Sequence, residues 1–208
     1  VSQNNNGVFV RLDKNMDKST LNLVLFELLS DMGYSGNRTH EYLKIVDSQV
    51  GVYIKTENHY IVRERNGVLI TDLDMIDDFQ TVSIESIPFY GSEKISLTIE
   101  HSDIDQTNQY KNNSFVECID FEKITLPLTI RRWQKGDKFF PIGMNGSKKV
   151  SDYLTDIKKK SVEKQQQLVL TDKSGIIWVI GLRLDKRYAI TNQTTKFLIL
   201  KWNTEHTD

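Results

Sequence analysis

The chain has 208 residues, of which 38% are hydrophobic and 26% are charged, and its formal net charge is −1. This length suits one large or two small domains with hydrophobic cores of their own. No apolar run approaches the roughly 18–20 residues of a membrane-spanning helix, and the first residues lack the basic and apolar regions of a signal peptide. The single cysteine, Cys118, excludes an internal disulfide framework, so we expect a cytoplasmic protein.

The first part of the chain predicts a helical hairpin followed by a β-meander. Helices are expected at residues 19–32 and about 38–49, and short strands at 52–54, 60–62 and 68–70. Ser19 and Asn37 are the expected helix N-caps. Asn66 and Gly67 form a dipeptide that is typical of tight hairpin turns in which both residues adopt positive φ.

The acidic stretch 73–80 has no clear period, and we place a domain boundary there. We expect a first domain of residues 1–75 and a strand-rich region of residues 76–208, whose C-terminal part spans 126–202. Further strands are expected at 81–87, 94–100, 114–121, 124–130, 168–172, 176–180, 187–191 and 196–202, with a surface loop at 103–113 and helices at about 148–158 and 160–167. This arrangement of helices and strands predicts an α+β fold.

Positive charge is concentrated in one segment of an otherwise acidic chain. Residues 129–187 contain fourteen Lys and Arg against six Asp and Glu, a net charge of +8. Because the whole chain carries −1, the remaining residues carry −9. Such asymmetry is typical of a surface that binds a polyanion.

Within this segment, cationic side chains flank two glycine-containing turns, where backbone N–H groups can approach a phosphate. Lys148 and Lys149 are expected in the first turn of a helix, where the dipole disfavours cations and an anion is therefore expected. The turn residues are Gly136, Asp137, Gly143 and Gly146. The candidate binding residues are Arg131, Arg132, Lys135, Lys138, Lys148, Lys149, Arg183 and Arg187.

These assignments have second interpretations. The cationic cluster could be an ordinary solvated face, and Arg187 could instead pair with Asp185 or Asp137. Asp137 is expected to organise its turn. Four aromatic residues interleave with the cations and could stack on nucleotides, although core packing is favoured for them. They are Trp133, Phe139, Phe140 and Tyr153.

No catalytic or metal-binding pattern is present. The four histidines are scattered, and Cys118 has no cysteine partner for a metal site. The chain lacks the GxxxxGK[ST] and GxGxxG phosphate-binding loops and the GxSxG nucleophile elbow. The GxxG from Gly143 to Gly146 lacks the helical surroundings of a KH domain. We therefore expect no catalytic residues, no metal ligands and no cofactor in this chain.

The order of residues in the basic segment resembles the C-terminal domain of the bacterial tRNA(Ile)-lysidine synthetase family. The helical hairpin and β-meander over 19–72 are similar to the middle, substrate-recognition domain of that family. The C-terminal resemblance is carried by Arg132, Gly136, Asp137, Phe139, Pro141, Gly143, Met144, Gly146, Lys148, Lys149, Asp152, Tyr153, Trp178, Gly181, Arg183, Asp185, Arg187 and Tyr188.

The resemblance implies the tRNA-binding portion of an ATP-dependent, cytoplasmic ligase. That enzyme adenylates the wobble cytidine of tRNA(Ile), and L-lysine then displaces AMP to give lysidine. Its SGGxDS loop is absent here, so ATP, Mg²⁺ and L-lysine are expected to bind a catalytic domain outside this sequence. The family's C-terminal domain grips tRNA toward the acceptor stem, and its fold resembles a domain of the phenylalanyl-tRNA synthetase β-subunit. A homodimer of the parent enzyme is compatible with the resemblance.

One departure from the family pattern limits what the resemblance carries over. Many members continue K-x-P-R-x-x-R-D after the helix, whereas this chain has a different segment from Lys158 to Lys164. The roles of the Pro-Arg segment therefore do not transfer. The alternative function is a non-catalytic interaction module whose basic loop binds an acidic protein partner.

Overall fold

The computed structural model describes residues 1–4, 7–12, 16–73, 79–91, 97–102, 113 and 115–202. The chain divides into two units. The first combines Val1–Asp78 with Lys159–Gln166, and the second combines Phe79–Lys158 with Gln167–Asp208. Most of the expected boundary stretch and of the expected surface loop lies outside the described residues, at 74–78 and 103–112.

Both units mix helices with antiparallel sheets, which confirms the α+β class. The strands are β1 (Ser2–Asn4), β2 (Gly7–Arg11), β3 (Tyr53–Lys55), β4 (His59–Glu64), β5 (Gly67–Asp72), β6 (Val82–Ile84), β7 (Leu97–Ser102), β8 (Val116–Asp120), β9 (Leu128–Arg132), β10 (Lys138–Phe139), β11 (Lys148–Lys149), β12 (Leu168–Asp172), β13 (Gly175–Val179), β14 (Arg183–Leu184) and β15 (Phe197–Trp202). The helices are α1 (Lys18–Asp31), α2 (Asn37–Leu43), α3 (Val150–Asp156) and α4 (Ser161–Gln166), with 3-10 turns at Lys44–Asp47, Phe121–Lys123 and Lys186–Tyr188. Every helix in the described ranges is too short or too polar to span a bilayer.

The first unit is a five-stranded sheet in the order β1-β2-β5-β4-β3, with α1 and α2 packed on one face. Leu21, Leu25 and Leu29 recur at helical spacing in α1 and are buried against the sheet. On the other face, Val162 of α4 packs near Tyr60 and Val62. The meander β3-β4-β5 was predicted, whereas β1 and β2 were not, because an Asn-rich start gives little strand signal.

The helix caps differ from those predicted. Asp17, not Ser19, caps α1, because its carboxylate accepts hydrogen bonds from the backbone N–H of Thr20 (3.0 Å) and from the Thr20 hydroxyl (2.7 Å). These bonds hold the pKa of Asp17 below its ordinary value. Gly36 occupies the cap position of α2, and Asn37 is the first helical residue. The α-helix ends at Leu43 and tightens into a 3-10 turn, earlier than predicted.

The β4–β5 hairpin is present, but its turn differs from the predicted one. Glu64 pairs with Gly67, so Arg65 and Asn66 form the loop, and neither Asn66 nor Gly67 has positive φ. Gly67 is needed for a different reason. A Cβ at this position would lie 2.2 Å from the backbone oxygen of Val10 and 2.5 Å from the ring of Phe9. The close approach of β2 excludes any side chain there.

The second unit places a three-stranded sheet (β7-β15-β8) against a five-stranded sheet (β14-β13-β12-β9-β6). Their shared core includes Trp178, Ile130 and Leu198, all fully buried. The opposite face of the five-stranded sheet carries α3 and the short hairpin β10–β11, through a second core that includes Phe139 and Tyr153. This second layer places the β10–β11 hairpin and α3 on that face of the unit.

Three elements of this unit differ from the expectation. β9 starts at Leu128 rather than at 124, because Pro127 has no N–H to donate to a strand ladder. Residues Lys186–Tyr188 form a 3-10 turn where a strand was predicted at 187–191. Lys148 and Lys149 form strand β11, and α3 begins only at Val150.

Candidate functional site

The β10–β11 hairpin presents two lysines side by side. Lys138 pairs with Lys149 across the two strands. Side chains alternate along a strand, so the full burial of Phe139 directs Lys138 and Lys149 outward, and both are exposed. Within the described part of the chain, neither forms a salt bridge. Like charges directly opposite each other destabilise a sheet, so this pair is suited to an anionic ligand.

Lys148 differs from Lys149, although the two are adjacent. Its amine forms an ion pair with the carboxylate of Asp156, at the end of α3. The prediction that both lysines lie in the first turn of a helix is wrong, because they form β11 and α3 begins after its N-cap residue, Lys149. The first backbone N–H of α3, that of Val150, donates instead to the carbonyl of Asp137 at 2.9 Å.

Arg131 and Arg132 lie on opposite faces of β9, since adjacent strand residues alternate. The Arg131 guanidinium donates twice to the Asp137 carboxylate, from Nη1 at 2.8 Å and from Nη2 at 3.0 Å. Asp137 also accepts from the backbone N–H of Gln134 at 2.8 Å, so it organises the Gly136 turn. Arg132 pairs in register with Leu168 and is half-buried. The two arginines therefore do not contribute to one surface.

Arg187 is held by Asp185, as the alternative interpretation had it. Asp185 is fully buried and accepts from the Arg187 backbone N–H (2.9 Å), Nε (3.0 Å) and Nη2 (2.8 Å), and from the Phe140 backbone N–H (2.9 Å). These bonds raise the pKa of Arg187. The guanidinium carbon lies 4.9 Å from the Phe140 ring centroid, and the Lys186 amine lies 5.9 Å from it. Arg187 is thus fixed in orientation, with Nη1 outside the Asp185 contact.

The loop between β10 and β11 is anchored to the chain segment that carries Arg187. The Ile142 N–H donates to the carbonyl of Leu184 (3.0 Å), and the Lys186 N–H donates to the carbonyl of Phe140 (2.8 Å). The Met144 N–H closes a turn onto the carbonyl of Pro141 (3.0 Å). Gly143 has φ +81° at the third position of this turn, which is the geometry of a type II turn. Gly136 and Gly146 also lie in exposed turns.

Substitution of Gly143 by alanine should lower the free energy of unfolding by about 1 kcal/mol. No atom lies within 4 Å of the position its Cβ would take, so the effect is conformational rather than steric. Urea unfolding checks the value. Gly143→Asn is the matched control, because asparagine tolerates positive φ and should lose less. Equal losses for both variants would contradict this reading of the turn.

Arg183 is exposed, and its Nε lies 3.4 Å from the hydroxyl of Tyr153. It also acts on Glu117 in β8. Burial raises the pKa of Glu117 to about 7, and the charge of Arg183 opposes this shift.

Among the predicted cations, Lys135, Lys138, Lys149 and Arg183 are exposed, whereas Arg131, Lys148 and Arg187 are bound to carboxylates.

The raised pKa of Glu117 predicts a pH dependence of stability. The folded state binds the proton more tightly than the unfolded state does, so stability falls as pH rises from the ordinary value of 4.5 to about 7, and stays lower above it. The Glu117→Gln variant should lose this dependence. Urea unfolding at about pH 8 and about pH 5 measures it. A wild-type change no larger than that of the variant would contradict the assignment.

The aromatic residues of the segment are mainly structural. Phe139 and Tyr153 are core residues, Trp133 packs against that core, and Phe140 lies beside Arg187. The sequence did not predict that Phe140 lies beside Arg187, and it indicated no role for Asp156 as the partner of Lys148. An Asp two residues before an Arg, as in Asp185 and Arg187, was the available signal for the buried pair. Within the described ranges, no group of three or more His, Cys, Asp or Glu side chains could hold a metal ion.

Two family models match the chain, one over each unit's principal segment. The model of the TilS substrate binding domain matches residues 3–73, and that of the TilS substrate C-terminal domain matches residues 128–202. The curated tRNA(Ile)-lysidine synthase of Parabacteroides distasonis is 29% identical over 179 residues, which are 86% of this chain and 41% of the relative. That of Bacteroides thetaiotaomicron is 28% identical over 192 residues, 92% of this chain and 42% of the relative. The chain thus spans about two fifths of the length of these relatives.

Solved structures add information on the fold. A crystal structure of the TILS C-terminal domain is similar with a TM-score of 0.50 and 20% identity, covering 60% of this chain and 97% of that chain. This likeness supports a common fold. An N-terminal fragment of the phenylalanyl-tRNA synthetase β-subunit from Pyrococcus horikoshii aligns with a TM-score of only 0.41 and 14% identity, over 88% of this chain and 67% of that chain. That value is too low to support an inference.

Proposed function

The chain belongs to the TilS family, of which it carries the substrate-binding and C-terminal domains, and we propose that it is the tRNA-binding portion of a tRNA(Ile)-lysidine synthase. Its substrate is then tRNA(Ile), bound toward the acceptor stem by the second unit. The observation that carries this proposal is the exposed Lys138–Lys149 pair. Among the described residues, neither lysine has a carboxylate partner in a salt bridge. Two adjacent cations of this kind are suited to backbone phosphates.

The candidate binding surface consists of side chains on the face that carries the β10–β11 hairpin. We place Lys135, Lys138 and Lys149 at phosphates, together with the outward edge of Arg187. Arg131 and Lys148 contribute to phosphate binding only indirectly, because their side chains form ion pairs with Asp137 and Asp156. An A-form RNA stem hides its major-groove edges, so such a surface reads phosphates, 2′-hydroxyls and shape.

The ligase chemistry belongs to the parent enzyme. ATP with Mg²⁺ and L-lysine would bind its catalytic domain, and the wobble cytidine of tRNA(Ile) would be converted there to lysidine. This chain supplies binding and orientation, which makes the reaction at the cytidine effectively intramolecular. The setting for such a reaction is the cytoplasm.

Competition binding tests the proposal. Labelled tRNA(Ile) is bound to the chain on filters and displaced either by unlabelled tRNA(Ile) or by a DNA duplex with the same number of phosphates. A tRNA-binding domain should be displaced at several-fold lower concentration by tRNA, because RNA shape and 2′-hydroxyls contribute. Equal displacement would instead favour a general polyanion-binding or acidic-protein-binding module.

A further inference from the structure

The tip of the β10–β11 loop exposes apolar side chains at the end of the hairpin that carries Lys138 and Lys149. Ile142 is 38% exposed and Met144 is 40% exposed. They stand on either side of Gly143 in one turn. Connecting loops usually carry polar residues at such tips, so two exposed aliphatic side chains in one turn are a candidate contact for a ligand.

The turn is preorganised rather than loose. Backbone hydrogen bonds tie Ile142 to Leu184 and Met144 to Pro141, and Pro141 forms a β-bridge with the fully buried Asp185. The exposed tip is therefore the end of a fixed element. Presenting apolar atoms on a fixed element reduces the entropy lost on binding.

Cations surround the tip on two sides. Lys138 and Lys149 lie at the base of the same hairpin. Lys186 and Arg187 flank Phe140, two residues before Ile142. Asp185 engages Nε and Nη2 of Arg187 and leaves Nη1 outside that contact. An apolar tip with cations on two sides fits a ligand that is anionic and also offers flat apolar surface. A nucleotide that is not stacked within a helix meets both conditions.

We propose that Ile142 and Met144 contact an unpaired nucleobase of the bound RNA, while Arg187 binds the phosphate next to it. The inference rests on the proposed function and adds a base contact to its phosphate contacts. Asp185 is then a positioning residue, because it fixes the guanidinium that meets the phosphate. This contact provides apolar affinity that does not depend on salt, on a surface otherwise dominated by charge.

Two RNA probes with equal charge separate the base contact from the phosphate contacts. One is a short RNA duplex with a single-stranded overhang, and the other is the same duplex whose overhang is abasic. The wild-type chain should bind the first about five- to tenfold more tightly, because the base removes part of two aliphatic side chains from water. The Ile142→Ser/Met144→Ser variant should bind both equally, with the salt dependence of the wild type. Ile190→Ser is the matched control, since Ile190 is 37% exposed in the same unit, and it should keep the preference.

The outcomes distinguish this inference from the proposed function. If the wild-type chain binds both probes equally, the base contact is absent, although tRNA binding through the lysines can still hold. If the double serine variant keeps the preference, the tip is not the site. If the chain binds neither probe but binds vesicles of phosphatidylserine and phosphatidylcholine, the tip is a membrane-contacting element and both proposals fall.

Discussion

Replacement of Asp185 by alanine is expected to lower the free energy of unfolding by about 2–4 kcal/mol. The fully buried carboxylate accepts four hydrogen bonds, from Phe140 and Arg187. Its removal leaves these donors without their acceptor and releases a partly buried cation. The side chain of Arg187 is 40% exposed, so water can reach part of the guanidinium and limits the loss.

Urea unfolding followed by tryptophan fluorescence measures this effect, because Trp178 lies in the core of the same unit. Asp156→Ala is the matched control. Its carboxylate pairs with Lys148 but is 60% exposed, and its loss should cost no more than about 1 kcal/mol. If the two variants unfold at the same urea concentration, the buried pair does not hold this part of the fold.

Charge reversal at both Lys138 and Lys149 should weaken tRNA binding by about 10²-fold at 0.1 M salt, since each phosphate contact contributes roughly one decade through counterion release. Fluorescence anisotropy with labelled tRNA measures it. Lys149→Glu and Lys196→Glu form a matched pair, because both residues are exposed in the second unit and the charge change is the same. Only the first should lose affinity. Equal affinities for the two would move the binding surface elsewhere.

The same lysine pair predicts opposite effects on stability and on binding. Lys138→Glu alone replaces two like charges across β10 and β11 by an opposite pair, which should stabilise the hairpin by about 0.2–1 kcal/mol. The variant should nevertheless bind tRNA more weakly. A variant that is less stable and binds normally would show that the pair has a structural role only.

Local pattern was sufficient for much of the fold and for the location of positive charge. The apolar spacing in α1 predicted its buried face, and the period-two runs predicted the meander from β3 to β5. The ends of these elements were less predictable. Asp17 and Ser19 are both residue types that cap helices. The sequence alone does not show which of them accepts the hydrogen bond at the start of α1, and in the folded chain it is Asp17.

The individual roles of the cations could not be read from the sequence. Arg131 and Arg132 are adjacent in the chain but lie on opposite faces of β9. Lys148 and Lys149 differ because α3 brings Asp156 back to the first of them only. Arg187 depends on the burial of Asp185, which tertiary packing determines. Net charge therefore predicted a binding surface. Which cations could contribute to it depends on how each one pairs with a carboxylate, and the folded structure determines that pairing.

The salt dependence of tRNA affinity tests the central claim most directly. If Lys135, Lys138, Lys149 and Arg187 meet phosphates, a plot of log affinity against log salt should have a slope of roughly −3 to −4, a loss of about 10²-fold between 50 and 200 mM salt. The Lys138→Gln/Lys149→Gln variant should flatten the slope by about 1.5–2. A wild-type slope near zero, or an unchanged slope in the variant, would contradict the assignment of this hairpin as an RNA-binding surface.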